Sequence, residues 1–442
     1  MKRILSLIMV FALIVSLGAV TSGCNRGEKS AAELLKDQTI HFFTRSDLEP
    51  KGGTEVGDLR VEKLEEIKEK YGCEIKWSNA SDITAQLITA ASSGQKLGDV
   101  CQQLSHQVYH MMNLGDYFWS VEELGGDPTD AELFNVDITA YAKHGDKTYG
   151  WWYDPSTVGA VMVINRSILE RNGGTMPYNL VEDNKWTFNE WKKIMTLCAD
   201  PNQNILGGQR DQSSVYTYLA MNDTSLYAVD ANGRHISNTA DTKLVEVLEF
   251  LTDITVNDKI YKGTAGSWDE PQKEFAKGNL ATANVGLYVC RDELPTNMSD
   301  QWGIMPLPIG PSGSGYKNMA ASSNSFCIQK CVDLEYAKAL FQLTNELFVY
   351  PTEGLDGLRG DYESFCPDKE SVDNLLMLQA LPLYIEPEFT MPDLRKYTDQ
   401  TTIMGDLTDA SNGTKAIRST LDAMSPQIQS VLDEFYKQTP VE

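Results

Sequence analysis

Basic residues are scarce. The 442-residue chain holds 38 lysines and arginines against 62 aspartates and glutamates, a formal net charge of −24. No run of Lys and Arg relieves that deficit, and a surface this negative repels phosphate backbones, which argues against nucleic acid as a partner. Cysteine pairs with metal or redox spacing are missing as well: none of the eight cysteines forms a C-x-x-C, Cys327 and Cys331 are four apart, and Cys366 is isolated. Besides Cys24 seven remain, an odd count that leaves at least one unpaired even in an oxidising compartment, and they read as buried free thiols. Signatures of catalysis are absent too, with no G-x-S-x-G, Walker loop or H-E-x-x-H. His106 and His110 have helical i, i+4 spacing in "HQVYH" without the zinc-protease glutamate, and so read as a helix face. "SGQK" matches Ser-x-x-Lys, but no Lys-Thr-Gly completes that set. Among 62 acids a glycosidase pair has no distinctive signature. No enzyme activity, metal or cofactor is expected.

What is present begins at the N-terminus. Lys2-Arg3 precede "ILSLIMVFALIVSLGAV", 17 residues without a charge, and small residues lead to Cys24. This is the pattern of an export signal over residues 1–23. Ser22, Gly23 and Cys24 resemble a bacterial lipobox, with Thr21 where such boxes carry Leu. The resemblance implies cleavage before Cys24, a diacylglycerol on its thiol, and a lipid anchor at the outer face of the cytoplasmic membrane. Residues 24–37 then form a polar tether.

From Asp37 onward strands and helices alternate. "QTIHFFT", "CEIKW" and "GDVCQQL" read as strands. "VGDLRVEKLEEIKEKYG" carries Val61, Leu64, Ile67 and Tyr71 on one helical stripe and stops at Gly72; "SDITAQLITAASSG" is a second helix with Ser81 as its cap. The order implies a parallel sheet covered on both faces, with ligands beyond the carboxyl ends of its strands. A second unit follows: strand "TVGAVMVIN", helix "KWTFNEWKKIMTLCAD" with a Thr187–Glu190 capping box, and helix "TKLVEVLEFLTDITVND" with Leu244, Val247, Leu248 and Leu251 in line. Then come helix "SWDEPQKEFAKG" capped by Ser267 and strand "NLATANVGLYV". "GIMPLPIGPSGSGYKN" is Pro/Gly/Ser-rich punctuation. Beyond Met319 the pattern is mostly helical.

Four segments in this order carry a resemblance. They are "GDKTYGWWYDPSTVGAVMVINRSILERNG", "WTFNEWKKI", "FAKGNLATANVGLYV" and "WGIMPLPIGP". The chain is similar to the family 1 extracellular solute-binding proteins, the carbohydrate-binding lipoproteins that feed ABC importers. It departs from their usual residues at Ile164 and Arg166, where the family has Tyr and Lys, and at Asn279 and Thr282. The resemblance runs from about Asp37 to Ala339. It implies a two-lobed, type II periplasmic-binding-protein-like α/β fold, each lobe a sheet flanked by helices with a hinge between. Residues 38–152 and 319–355 fall to lobe 1, and 153–318 and 356–442 to lobe 2. It further implies a monomer that closes on a sugar and hands it to an ABC permease. Alternatives are a peptide or other solute on the same fold, or a surface glycan hydrolase or adhesin.

A sugar offers an apolar C–H face and a hydroxyl edge, which rings and polar side chains match. "WWYD" and "SWDE" have that composition. The candidate contacts are Trp151, Trp152, Tyr153 and Asp154 on the first crossing, with alternation sending at least one ring into the core. Trp268 and Tyr288 are candidates in lobe 2. Arg45, Asp47, Gln103, Ser105 and His106 follow strands of lobe 1. Trp186 and Trp191 read as packing, and Arg359, Asp361 and Tyr362 as a possible far edge of the cleft.

Overall fold

A computed structural model describes residues 29–52, 55–80, 83–154, 158–211, 214–232, 234–263, 267–319, 324–349, 354–384 and 400–438. The export signal, Cys24 and Ser81 lie outside the described residues. Part of the expected tether is folded: Ser30 and Glu33 cap a short helix, Ala31–Leu35, and Leu35 is buried in a core. Two alanines and two leucines give those residues an apolar side that a polar tether would lack.

The chain runs β1 (Thr39–Thr44), α1 (Glu55–Tyr71), β2 (Glu74–Asn79), α2 (Thr84–Ser92), β3 (Val100–Leu104) and α3 (Ser105–Leu114). After a segment with a short helix, Val136–Thr139, and a small hairpin, Lys143–His144 with Lys147–Thr148, the main elements are β4 (Ala160–Asn165), α4 (Phe188–Cys198), β5 (Leu206–Gln209), α5 (Thr242–Thr252), β6 (Tyr261–Lys262), α6 (Glu270–Ala276), β7 (Leu280–Gly286) and β8 (Trp302–Met305). Then follow β9 (Asn318–Met319), β10 (Asn324–Cys327), α7 (Leu334–Phe348), α8 (Gly354–Phe365), α9 (Lys369–Gln379), β11 (Leu383–Tyr384), α10 (Gln400–Ser411) and α11 (Ile417–Gln438).

Two sheets result, ordered β10–β3–β1–β2 and β6–β5–β7–β4–β8. Alternation shows in their burial: β4 is buried on both faces, whereas β1 buries Ile40, Phe42 and Thr44 and leaves Thr39, His41 and Phe43 more open. In β4, Val161 and Val163 enter one hydrophobic cluster while Met162 and Ile164 enter another. In the first sheet Val100 and Cys101 part in the same way. The stripe Leu244, Val247, Leu248 and Leu251 is buried, as are Trp186 and Trp191. Gly72 closes α1 with a positive φ of 61°, a conformation that costs glycine little.

The helix caps differ from expectation. Ile83 precedes α2 and makes no side-chain bond. Thr187 precedes α4 but forms no capping box, because it is held in a bridge to Ile309. Asp269 takes the cap position of α6, and Ser267 donates to its carboxylate at 2.6 Å. Five of the seven described cysteines are buried; Cys331 is exposed and Cys366 half-buried.

Each sheet contains one antiparallel strand. In the first, β1, β2 and β3 are parallel and β10 opposes β3. In the second, β5, β6 and β7 are parallel and β4 opposes both β7 and β8. These two are the strands by which the chain enters a sheet after leaving the other. A chain arriving at the carboxyl edge of a parallel sheet has to run backwards through it, so both carboxyl edges adjoin the crossings. The passes are stitched together: Trp151 and Phe326 exchange backbone hydrogen bonds of 3.1 and 2.8 Å, and Gly159 N–H donates to the Met319 carbonyl at 2.9 Å.

Phe326 lies at the centre of this junction, its ring within 6.5 Å of those of Trp151, Trp152, Tyr153 and Phe348. Phe326→Ala is expected to destabilise lobe 1 by about 3–5 kcal/mol in urea unfolding. A loss under about 1 kcal/mol would show that the junction does not depend on that ring.

Candidate functional site

The segment "WWYD" divides as strand alternation requires. Trp151 is fully buried; its ring meets Phe341 edge-on at 4.9 Å, and its Nε1 donates to the Tyr153 hydroxyl at 2.6 Å. It is a core side chain, which corrects its place among the candidate contacts. Trp152 is half-buried and stacked on Phe326 at 5.5 Å, packed against the cluster that holds Trp151. Tyr153 lies parallel to Phe348, donates to Asn345 Oδ1 at 2.5 Å, and has its hydroxyl pKa pushed well up by burial. Asp154 is half-buried, and its backbone carbonyl accepts from Asn135 Nδ2 at 2.8 Å.

At the carboxyl edge of the first sheet, the loop after β1 carries Arg45 and Asp47. The Arg45 guanidinium donates to Asn324 Oδ1 at 3.3 Å, reaching the start of β10. Asp47 is exposed, and the Lys51 ammonium holds its carboxyl below the ordinary value. Two further candidates are corrected. Gln103 is buried, donating to Thr84 Oγ1 and accepting from the Leu104 N–H, each at 2.8 Å. Ser105 is buried against Ser325, their hydroxyls 2.7 Å apart. Both sit within a strand edge whose polar groups are already matched to one another. The side chain of His106 lies outside the described residues.

The second sheet's edge is more open. Trp268 is 68% exposed and Tyr288 39%, the two aromatic rings among the large exposed hydrophobic side chains described. Beneath them a polar network joins the ends of three parallel strands. Glu270 accepts from Gln209 Nε2 at 3.1 Å and from Lys262 Nζ at 2.7 Å, which links β5 and β6 to α6. The Tyr288 hydroxyl, just past β7, donates to Gln272 Oε1 at 3.3 Å. Glu293 has its carboxyl raised by burial, with Asp269 adding to the effect. Around the same edge Asp361 of α8 is raised by burial, opposed by the Arg291 charge. Tyr362 is buried, and Arg359 pairs with Asp373 at 3.3 Å.

This arrangement can bind: two exposed rings stand beside carboxylates and carboxamides bonded to one another. The profile of the bacterial extracellular solute-binding proteins matches residues 62–332, more than half the chain. The chain belongs to that family. Its members' two-lobed architecture recurs in solved structures of low identity. An ABC substrate-binding protein of Listeria monocytogenes in complex with cycloalternan is similar with a TM-score of 0.65 and 14% identity, covering 92% of this chain and 100% of its own. The cyclic alpha-maltosyl-1,6-maltose binding protein of Arthrobacter globiformis reaches 0.64 at 15% identity over 90% and 99%. UgpB of Mycobacterium tuberculosis, in complex with glycerophosphocholine, reaches 0.63 at 14% over 90% and 99%. No curated protein matches the chain in sequence.

Two residues of this solute-binding protein escaped the sequence reading. Gln102 is buried beneath the Arg45 loop, accepting from the Arg45 N–H at 3.0 Å. Arg210, one residue past β5, is buried against Asn412 Oδ1 at 3.1 Å and the Ser411 hydroxyl, tying the end of α10 to the strand edge. Position after a strand was the available signal, but sequence alone does not tell which neighbour turns inward. Trp268→Ala is expected to change stability by less than about 0.5 kcal/mol, as for an exposed side chain, whereas Trp151→Ala should cost about 3–5 kcal/mol. Thermal and urea unfolding of the two variants checks the contrast; equal losses would contradict the assignment of one ring to the surface and one to the core.

Proposed function

We propose that this protein is the saccharide receptor of an ABC importer, anchored outside the cytoplasmic membrane by a lipid on Cys24 and acting as a monomer without covalent chemistry. The observation that carries this reading is the pair of exposed rings, Trp268 and Tyr288, above a carboxylate–carboxamide network at a strand edge. Rings cover the C–H face of a pyranose, and the polar side chains match its hydroxyls. Because those groups are desolvated on binding, an analogue lacking hydroxyls leaves them unpaired and is rejected. Facing them, Arg45 and Asp47 supply the first-lobe edge and Trp152 and Asp154 the crossing, while Tyr153, bonded to Trp151 and Asn345, belongs to the core.

The lobes in this reading comprise residues 38–152 with 319–355, and 153–318 with 356–442. Binding draws the lobes together, since a solute touching both edges favours the closed arrangement by its extra contacts there. The permease then reads the closed form. Neighbours of known structure whose names include cycloalternan and cyclic alpha-maltosyl-1,6-maltose support an oligosaccharide. A second reading keeps the fold and takes another small solute, as the glycerophosphocholine complex illustrates.

Titration calorimetry with maltotriose, maltotetraose, glycerophosphocholine and short peptides separates these readings. A saccharide should bind, and Trp268→Ala should weaken it at least tenfold, about 1.4 kcal/mol. Heat from glycerophosphocholine or peptides alone would move the assignment to the second reading. Glycoside turnover abolished by changing one carboxylate pair would replace binding with hydrolysis.

A further inference from the structure

We propose that Gln102 is a positioning residue for the solute site, holding the Arg45–Asp47 loop in its binding shape before any ligand arrives. This rests on the reading of that loop as one edge of the site. Gln102 is 0% exposed in the middle of β3, opposite Phe326. Its side chain does not pair within the sheet. It reaches over the end of β1, where its Oε1 collects the Arg45 N–H at 3.0 Å and the Ser46 N–H and hydroxyl at 3.4 Å each. Among the described residues its Nε2 has no hydrogen-bond partner.

For stability alone this is a poor choice. A buried amide with an unmet donor costs free energy, and an apolar side chain of the same length would avoid that cost. Nor does the fold require the three bonds. Ser46 is exposed, so water would satisfy its groups if Gln102 were lost. What the bonds achieve is local: they fix two consecutive residues of the loop that follows β1. Thr44 Oγ1 donates to the Ser46 carbonyl at 2.7 Å, and Arg45 reaches Asn324. The guanidinium of Arg45 and the carboxylate of Asp47 are thereby set at the sheet edge and coupled to the strand that returns from the second crossing. A preformed loop saves the ordering cost that binding would otherwise bear. The neighbouring Gln103 differs in each respect, with both ends of its amide engaged inside lobe 1.

The test compares wild type, Gln102→Met and Gln102→Glu. Methionine keeps the length and removes the acceptor; a carboxylate accepts from the same three donors. Amide hydrogen exchange at Arg45 and Ser46 in the ligand-free protein should be at least tenfold faster in Gln102→Met and slow again in Gln102→Glu. The Tm of Gln102→Met should equal or exceed that of wild type, while its affinity for maltotetraose falls at least tenfold. Unchanged exchange at the two amides overturns the proposal, and so does a fall in Tm large enough to account for the lost binding. Wild type and Gln102→Met binding maltotetraose equally also overturns it, with the saccharide reading intact. If wild type takes no saccharide but the two amides lose protection in Gln102→Met, the anchoring is supported and the choice of solute is what fails.

Discussion

The constraint on which the rest depends is topological. A chain that leaves one parallel sheet and enters another at its carboxyl edge has to run antiparallel to the strands it joins, as β4 and β10 do. Both carboxyl edges therefore adjoin the crossings: Ala160 at the start of β4 lies opposite Gly286, Asn324 at the start of β10 lies opposite Leu104, and the described loops after β1, β5 and β7 leave from the same edges. Those loops are where parallel sheets leave backbone groups unpaired and side chains free to vary. In the proposed function the binding surface is a consequence of how the chain is routed. The residues on it decide only what is bound.

The crossing itself is built as core. Trp151, Tyr153, Phe326, Phe341 and Phe348 share ring contacts between 4.7 and 6.4 Å, and the backbone bonds of Trp151 with Phe326 close the junction. Such packing resists deformation, because interlocked rings have few alternative arrangements. In the proposed closure it is the fixed place from which the lobes move. The exposed rings belong elsewhere, on the edge of the second sheet, where ion pairs and amides rather than core packing hold the loops.

Much of the fold was legible because its signals are periodic. Helical stripes such as Leu244–Leu251 and short apolar strands such as β4 follow from spacing alone, and the order of segments pointed to two lobes. Less of the site was legible, for a reason visible in β3. Gln102 and Gln103 are adjacent, identical in chemistry and both buried, yet one reaches over to the β1 loop and the other bonds within its own edge and to α2. Alternation says that they part; it does not say which direction meets solvent. The same ambiguity placed Trp151 with Trp152. Caps misled in a different way, since Thr187 has the residue type of a cap but is engaged by a bridge from distant Ile309. Arg210 offered only its position after a strand, because its partners Ser411 and Asn412 lie 201 and 202 residues further along the chain.

The central claim is that one solute occupies the seam between the two carboxyl edges. A crystal structure of the protein with the saccharide that calorimetry selects tests it most directly. The account predicts ligand density in contact with Trp268 or Tyr288 on one side and with Arg45 or Asp47 on the other. Density confined to one lobe, or seated away from both edges, would contradict it.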